Sequence, residues 1–95
     1  GVDGYKTDGG EFVHDNHAVF HNGLTGFEMK NRYPDLYIKN YYEHTVKDPI
    51  LYSRAGYTEI AKYSILWGGD QLSTWDEYRS MIKAMLSSSF SGIPY

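Results

Sequence analysis

The sequence contains no cysteine among its 95 residues. This absence excludes a disulfide framework, a thiolate metal site and a cysteine nucleophile, and it leaves the cellular compartment open. Positive charge is also scarce, because 9 lysines and arginines stand against 12 aspartates and glutamates and give a net charge of −3. We therefore expect neither a nucleic acid nor an anionic membrane surface as a partner.

Long apolar runs are missing as well. No stretch approaches the roughly 18 apolar residues of a membrane span, and the first residues lack the pattern of a signal peptide. A chain of this length forms at most one small domain, which buries about 60–65% of its unfolded surface. We expect residues 1–95 to belong to one domain, because no repeat or low-complexity segment divides them.

Tyrosine is the residue type that stands out, with 10 copies in the chain. A tyrosine side chain combines a flat apolar ring with a hydroxyl group. Surfaces built from it suit sugars as well as protein partners. The composition alone therefore leaves both classes of ligand open.

Four short apolar runs predict β-strands, and each of the first three ends at a polar or glycine-rich segment. They are Val2–Thr7, Ile50–Ser53, Tyr63–Trp67 and a run that starts in Gly92–Tyr95. None of them alternates strictly between apolar and polar residues. This pattern is typical of strands in a parallel sheet that is covered on both faces.

Two segments have the three- and four-residue spacing of an amphipathic helix. The first covers about residues 27–46, and Pro34 predicts that its stable part starts near that residue, because proline is tolerated in a first helical turn. The second covers about residues 74–87 and begins at Ser73 or Thr74, with Glu77 placed to complete a capping box with Thr74. Residues 9–26, between the first strand and the first helix, are predicted to form a loop because they contain four glycines and many polar residues.

Strands that alternate with helices in this order predict an α/β fold with a parallel sheet. Four short strands and two helices neither close a barrel nor complete a doubly wound sheet. We therefore expect the chain to be a piece of a larger α/β domain.

Charged residues follow the first predicted strand. Lys6 and Asp8 lie two positions apart, so on a strand they point to the same side. The ammonium group favours the ionised form of the carboxyl group, which makes Asp8 a candidate nucleophile. Glu11 follows three residues later. The alternative for Asp8 is an ordinary turn residue, because Asp-Gly is a common turn sequence.

The next two strand ends carry Arg54, and Trp67 with Asp70. An apolar wall such as Trp67 favours the protonated form of a neighbouring carboxyl group, which is the form that a general acid needs. Asp70 also has the alternative of a turn residue. The guanidinium group of Arg54 suits sugar hydroxyls or a carboxylate, and an ion pair with Asp8 or Glu11 is its alternative.

An anionic carboxylate and a carboxylic acid form the pair that retaining glycosidases use, with the two groups about 5–5.5 Å apart. Asp8 and Asp70 are candidates for this pair. A separation of about 5–7 Å between their carboxyl groups in the folded chain would support this pair, and one well beyond about 10 Å would count against it. Arg54 and Trp67 should then face the same cleft.

Four motifs follow one another along the chain, namely Gly4–Glu11, Arg54–Gly56, Trp67–Asp70 and Gly92–Tyr95. In this order they resemble the motifs at the fourth to seventh strands of glycoside hydrolase family 31, the α-glucosidase and α-xylosidase family. The segment Asn31–Tyr37 is similar to the start of an intervening helix. The resemblance covers nearly the whole chain. It implies a partial (β/α)8 TIM barrel with parallel strands, incomplete at both ends.

The resemblance also implies the roles of individual residues. Asp8 would be the nucleophile and Asp70 the general acid/base of a retaining α-glycoside hydrolase that acts on α-linked glucosides, xylosides or related sugars. Lys6, Arg54 and Trp67 would bind the sugar that is cleaved. Glu11 would hold these residues in position without contacting the sugar. A carbohydrate substrate is implied, and neither a cofactor nor a metal ion is.

One position departs from the family pattern. Many relatives carry an aromatic residue directly after the nucleophile, whereas this chain has Gly9. The missing bulk implies a wider site beyond the scissile bond.

A catalytically inactive alternative remains for the chain by itself. A non-catalytic sugar-binding relative would need Asp8 or Asp70 replaced, and both are present. An inactive barrel fragment that binds only carbohydrate or protein is the second possibility. The other barrel strands lie outside these residues, so we expect the isolated chain to hydrolyse no α-glycoside.

Histidines and tyrosines offer two further interpretations. His14, His17 and His21 are spaced three and four residues apart. On a helix they would share one face and could bind zinc, but glycines bracket the segment, so we favour exposed or loop-packing side chains. Tyr33, Tyr37 and Tyr41 recur at four-residue intervals. This spacing favours a helix face packed on the sheet over a sugar platform.

Overall fold

The computed structural model describes residues 1–95 and contains one sheet of three parallel strands. Strands β1 (Gly4–Thr7), β2 (Ile50–Ser53) and β3 (Ile65–Leu66) lie side by side in chain order. Three α-helices and one 3-10 turn connect or follow them: α1 (Gly26–Met29), α2 (Arg32–His44), the turn at Ile60–Lys62, and α3 (Trp75–Phe90). The prediction of an α/β fold with a parallel sheet is confirmed. None of the helices has the length and apolar content needed to cross a membrane.

The third predicted strand is shorter than expected. Residues 63 and 64 do not join it, because the N–H groups of Tyr63 and Ser64 both donate to the carbonyl of Ile60 and close the 3-10 turn. The predicted strand at 92–95 does not form within this chain. The segment nevertheless runs beside β3, since the N–H of Leu66 donates to the carbonyl of Pro94 over 2.8 Å.

The first predicted helix, at 27–46, is two helices. α1 ends at Met29 and α2 begins at Arg32. Pro34 is the third residue of α2. Proline is tolerated there because N–H groups in the first turn of a helix have no partner within the helix. The turn of α1 has a complete capping box, in which Thr25 and Glu28 bond each other's backbone N–H groups.

The second predicted helix is confirmed as α3 and is three residues longer than expected, ending at Phe90. The hydroxyl of Thr74 accepts the N–H of Glu77 at 3.3 Å, as a helix N-cap does. The return bond from the Glu77 side chain, which a capping box requires, is not made. The apolar face of α3 is only partly covered, since Ile82 and Met85 are half-buried whereas Tyr78 and Leu86 are exposed.

The sheet is covered on one face only. Ile38 of α2, Leu51 of β2 and Ile60 of the 3-10 turn form the buried core on that face. On the opposite face Ile50 and Tyr52 are 67% and 42% exposed. Residues paired in register point to the same face of a sheet, so Lys6, the partner of Tyr52, also lies on this open face.

A buried carboxylate attaches α2 to the segment that follows β2. Asp35 accepts the backbone N–H groups of Tyr57 and Glu59 at 2.8 and 3.0 Å. These two N–H groups start the turn that leads to Ile60 in the core. α2 is therefore fixed both to the sheet and to the connection between β2 and β3.

Candidate functional site

The polar residues that follow the three strands lie at one edge of the sheet. Thr7, Ser53 and Leu66 are in register across β1, β2 and β3. The backbone hydrogen bonds continue one residue beyond the strands. The N–H of Arg54 donates to the carbonyl of Thr7 at 3.0 Å, and the N–H of Trp67 donates to the carbonyl of Ser53 at 2.8 Å. The carboxyl ends of parallel strands are where α/β proteins place functional residues.

Arg54 joins two carboxylates at this edge. Its Nη1 lies 3.3 Å from Oδ1 of Asp8, and its Nε lies 2.9 Å from Oε1 of Glu11. Lys6 Nζ approaches the same Asp8 oxygen at 3.6 Å. The ion pairs expected as alternatives for Arg54 are both present, and they leave Asp8 between two cations.

The two cations determine the charge state of Asp8. The hydrogen bond from Arg54 holds the pKa of Asp8 below its ordinary value of 3.8, and the positive charges of Lys6 and Arg54 act in the same direction. The bond to Asp8 and the charge of Glu11 raise the pKa of Arg54 in turn. Asp8 is therefore a carboxylate at neutral pH, and it remains exposed to a ligand.

Trp67 forms the apolar side of this site. Lys6 Nζ lies 3.9 Å from the centroid of the indole ring, which is a cation–π contact. The lysine thus bridges the ring of Trp67 and the carboxylate of Asp8. Lys6, Asp8, Glu11, Arg54 and Trp67, which we call the charged cluster, form a connected set.

Asp70 follows the turn after β3 and is exposed. Its turn depends on Gly69, whose φ of 99° favours glycine. The carbonyl of Gly68 accepts both the Gln71 side-chain amide and the Tyr95 hydroxyl, which fixes the turn. No hydrogen bond or ion pair links Asp70 to the charged cluster, but its charge contributes to the raised pKa of Arg54. The pairing of Asp70 with Asp8 stays a prediction.

Tyr37 supports Asp8 from the helix side, a contact that was not foreseen. Its hydroxyl donates to the backbone carbonyl of Asp8 at 2.9 Å. A hydrogen bond with Tyr41, together with burial, raises the pKa of Tyr37 to about 12, so the hydroxyl keeps its proton. Tyr37 and Tyr41 also pack against the core, which confirms that this stripe faces the sheet.

Three buried hydroxyl groups, those of Thr7, Ser53 and Ser64, link the neighbouring strands of the sheet. Thr7 Oγ1 donates to Ser53 Oγ at 3.0 Å, and Ser53 Oγ lies 2.5 Å from Ser64 Oγ. Ser64 donates its own proton to the carbonyl of Ile65 at 2.9 Å. Because each hydroxyl has one proton, the bonds run in one direction, from Thr7 through Ser53 to Ser64. This hydroxyl chain connects β1, β2 and the start of β3.

The histidines do not form a metal site. No group of three or more histidine, aspartate or glutamate side chains converges anywhere in the structure. The ring of His14 packs near Phe12 instead, and Asp15 accepts the backbone N–H of His17.

Comparison with known proteins identifies the family. Residues 1–95 match the domain described as the glycosyl hydrolases family 31 TIM-barrel domain. An isomaltosyltransferase from Sporosarcina globispora is 42% identical over 98 residues, which cover 100% of this chain and 9% of that protein. Enzymes named alpha-glucosidase and alpha-xylosidase are also among the relatives.

Solved structures agree with this assignment. A cycloalternan-forming enzyme from Listeria monocytogenes, in complex with a pentasaccharide substrate, has a TM-score of 0.88 and 41% identity over 96% of this chain and 9% of that chain. A cycloalternan-degrading enzyme from Trueperella pyogenes, in complex with a covalent intermediate, has a TM-score of 0.87 and 35% identity over 96% of this chain and 13% of that chain.

The fold and the charged cluster thus define a piece of a carbohydrate-active α/β enzyme domain. The chain belongs to glycoside hydrolase family 31. It spans about a tenth of the length of the relatives described above, 9% of the isomaltosyltransferase and 13% of the cycloalternan-degrading enzyme.

Proposed function

We propose that this chain supplies both catalytic carboxyl groups of a retaining α-glycosidase, within a (β/α)8 barrel completed by residues outside it. The observation that carries this proposal is the Asp8 carboxylate, which is exposed directly after the carboxyl end of β1 and paired with Lys6 and Arg54. A carboxylate that is ionised and accessible is suited to nucleophilic attack. The family membership of the chain makes an α-linked sugar the expected substrate class.

The proposed reaction is a double displacement. Asp70 donates a proton to the glycosidic oxygen while Asp8 attacks the anomeric carbon, so the glycosidic bond breaks and a β-glycosyl ester forms on Asp8. Asp70, now a carboxylate, takes a proton from water, and the oxygen of that water attacks the anomeric carbon. Asp8 leaves as a carboxylate, and the released sugar keeps the α configuration. The covalent intermediate named for the Trueperella enzyme supports this route.

The remaining members of the charged cluster have supporting roles in this proposal. Lys6, Arg54 and Trp67 bind the sugar that is cleaved, and Glu11 holds Arg54 in place through the 2.9 Å ion pair. The other oxygen of Glu11 is buried and has no hydrogen-bond partner in this chain. No step requires a metal ion or a cofactor.

Glycosyl transfer is a second candidate, because a 42% identical relative is an isomaltosyltransferase. The first displacement is the same in both reactions. In transfer a sugar hydroxyl takes the place of water in the second step, with Asp70 accepting its proton. Substrates with an α-1,6 bond, such as isomaltose, are therefore the first to test.

The test uses the complete protein that contains this chain, with α-glucosyl fluoride and isomaltose as substrates. Asp8→Ala is expected to abolish turnover of both, since no nucleophile remains. Asp76→Ala, which removes an exposed aspartate on α3, is the matched control and should keep full activity. NMR of the first sugar released should show the α anomer. An initial β anomer, or full activity of Asp8→Ala, contradicts the proposal.

A further inference from the structure

The loop after Asp8 carries an exposed aromatic side chain. Phe12 is 57% exposed, although a phenylalanine has no polar group that benefits from water. Its ring centroid lies 6.0 Å from Cζ of Arg54. Phe12 is therefore a neighbour of the charged cluster without being a member of it.

Three residues border this ring, namely Gly9, His14 and Arg54. Gly9 leaves space for it, because a Cβ at that position would lie 3.1 Å from Cε2 of Phe12. The ring of His14 lies 5.8 Å away, centroid to centroid. Arg54 provides a fixed neighbour, since Asp8 and Glu11 hold its guanidinium group. An exposed ring with fixed neighbours is a preorganised binding surface, which loses little freedom when a ligand arrives.

The position of Phe12 indicates which part of a substrate it would meet. Lys6 and Trp67 lie on the strands or at their ends, where the proposed function places the sugar that is cleaved. Phe12 lies on the loop beyond β1, four residues after Asp8, and its ring is next to Arg54 rather than next to Lys6 or Trp67. The next sugar ring along an oligosaccharide would therefore come within reach of Phe12.

We propose that Phe12, with His14 beside it, is a platform for the second sugar ring, which leaves in hydrolysis and enters in transfer. The C–H face of a pyranose packs on an aromatic ring, and the imidazole of His14 can bond one of its hydroxyls. This inference rests on the proposed function and adds a binding position to it. Gly9 contributes by leaving room for the Phe12 ring.

The experiment compares two donors in the complete protein. α-Glucosyl fluoride has no second ring, whereas isomaltose has one. Phe12→Ala is expected to lower kcat/KM for isomaltose about tenfold and to leave kcat/KM for the fluoride unchanged. Phe12→Tyr, which keeps the ring, should retain the wild-type ratio, and Phe12→Leu should not. Phe27→Ala removes a phenylalanine that is 73% exposed on α1 and serves as the matched control.

The outcomes separate this inference from the proposed function. Equal losses of kcat/KM on both donors would show that Phe12 only supports the fold or Arg54. No loss on either donor would show that Phe12 contacts no sugar. Both results overturn the inference and leave the proposed function standing. If the wild type turns over neither donor, the proposed function fails. Calorimetric titration with isomaltose then decides the inference, which is overturned if Phe12→Ala binds as the wild type does.

Discussion

Arg54 and Asp8 lie 46 positions apart in the chain, yet Nη1 of one is 3.3 Å from Oδ1 of the other. The parallel pairing of β1 with β2 brings them together, because Thr7 and Ser53 are partners in register and each precedes one member of the pair. The ion pair is thus a direct result of strand register. It couples the charge of the proposed nucleophile to the neighbouring strand.

The first prediction concerns the pH dependence of activity. Arg54 holds the pKa of Asp8 below 3.8, so its loss should raise that pKa towards the ordinary value. The nucleophile must be ionised, and kcat/KM therefore falls as the pH drops through this pKa. In Arg54→Ala the acid limb of the profile is expected to move to higher pH. It is measured as kcat/KM for α-glucosyl fluoride in the complete protein.

Arg79→Ala is the control for that profile. Arg79 pairs with Asp76 at 3.1 Å on α3, so this variant also loses an exposed arginine and an ion pair. Its acid limb should coincide with that of the wild type. A shift towards lower pH in Arg54→Ala would contradict the assigned coupling.

The second prediction tests Asp70 as the general acid. A leaving group that is stable as an anion needs little protonation, so Asp70→Ala should form the glycosyl ester from α-glucosyl fluoride at nearly the wild-type rate. The same variant should react with isomaltose at least about 100-fold more slowly, since general acid catalysis contributes about that much. The rates come from single-turnover kinetics of the first step. Equal losses on both substrates would count against Asp70 as the acid.

Much of the charged cluster followed from the sequence because strand ends in a parallel sheet meet at one edge. Lys6, Asp8, Arg54 and Trp67 each lie on a short apolar strand or directly after one, and the structure brings them together. The contact from Tyr37 to Asp8 could not be foreseen in this way. It depends on how α2 crosses the end of β1, which helix periodicity does not specify.

Element boundaries were less predictable where two hydrogen-bonding patterns compete. Tyr63 and Ser64 have strand-like neighbours, but their N–H groups close the 3-10 turn with Ile60. The hydroxyl chain could not be predicted either, since Thr7, Ser53 and Ser64 come together only through the register of the strands. Single serines and threonines give no sequence signal for such a contact.

The third prediction concerns Tyr37. Removing its hydroxyl deletes the 2.9 Å bond to the Asp8 carbonyl and leaves the ring in place. Tyr37→Phe should lower the free energy of unfolding by about 0.5–1.5 kcal/mol, and it should reduce kcat more than it raises KM. Tyr33→Phe is the control, because Tyr33 stacks on Tyr37 but does not bond the Asp8 loop. Equal effects of the two variants on kcat would contradict a positioning role for Tyr37.

The fourth prediction concerns Gly10, which packs on the same tyrosine. Its φ is 92°, and a Cβ there would lie 2.7 Å from Cδ1 of Tyr37. Gly10→Ala therefore combines an unfavourable backbone conformation with a clash, and we expect it to destabilise the protein by at least about 1 kcal/mol. Gly23→Ala is the control for the clash, because Gly23 also has a positive φ but no atom lies within 4 Å of the added Cβ. Thermal unfolding should rank Gly10→Ala as the more damaging change.

The fifth prediction concerns the hydroxyl chain. Ser53→Ala removes its middle member and leaves the proton of Thr7 buried without an acceptor, which should cost about 1–3 kcal/mol. Thr7→Val removes only a donor to Ser53 and should cost less. Chemical denaturation of the complete protein gives both values. The reverse order would show that the hydrogen bonds do not run from Thr7 towards Ser64.

The last prediction concerns the 95 residues by themselves. Ile50, Tyr52 and Ile65 are 67%, 42% and 40% exposed, and both edges of the sheet carry unpaired backbone groups along β1 and part of β3. An open apolar face with free strand edges favours association between copies. The isolated chain should therefore self-associate in sedimentation experiments, and Tyr52→Lys should reduce this association.

The same open face explains why the isolated chain should not hydrolyse α-glucosyl fluoride. In the proposed function the charged cluster contacts the sugar, and the neighbouring face of the sheet is open in this chain. A sugar held only by the cluster would be neither fixed in position nor shielded from water. Joining the chain to the rest of its barrel should restore activity and remove the self-association together, since one surface is responsible for both. Turnover by the isolated chain that disappears in Asp8→Ala would show that these residues alone build a working site.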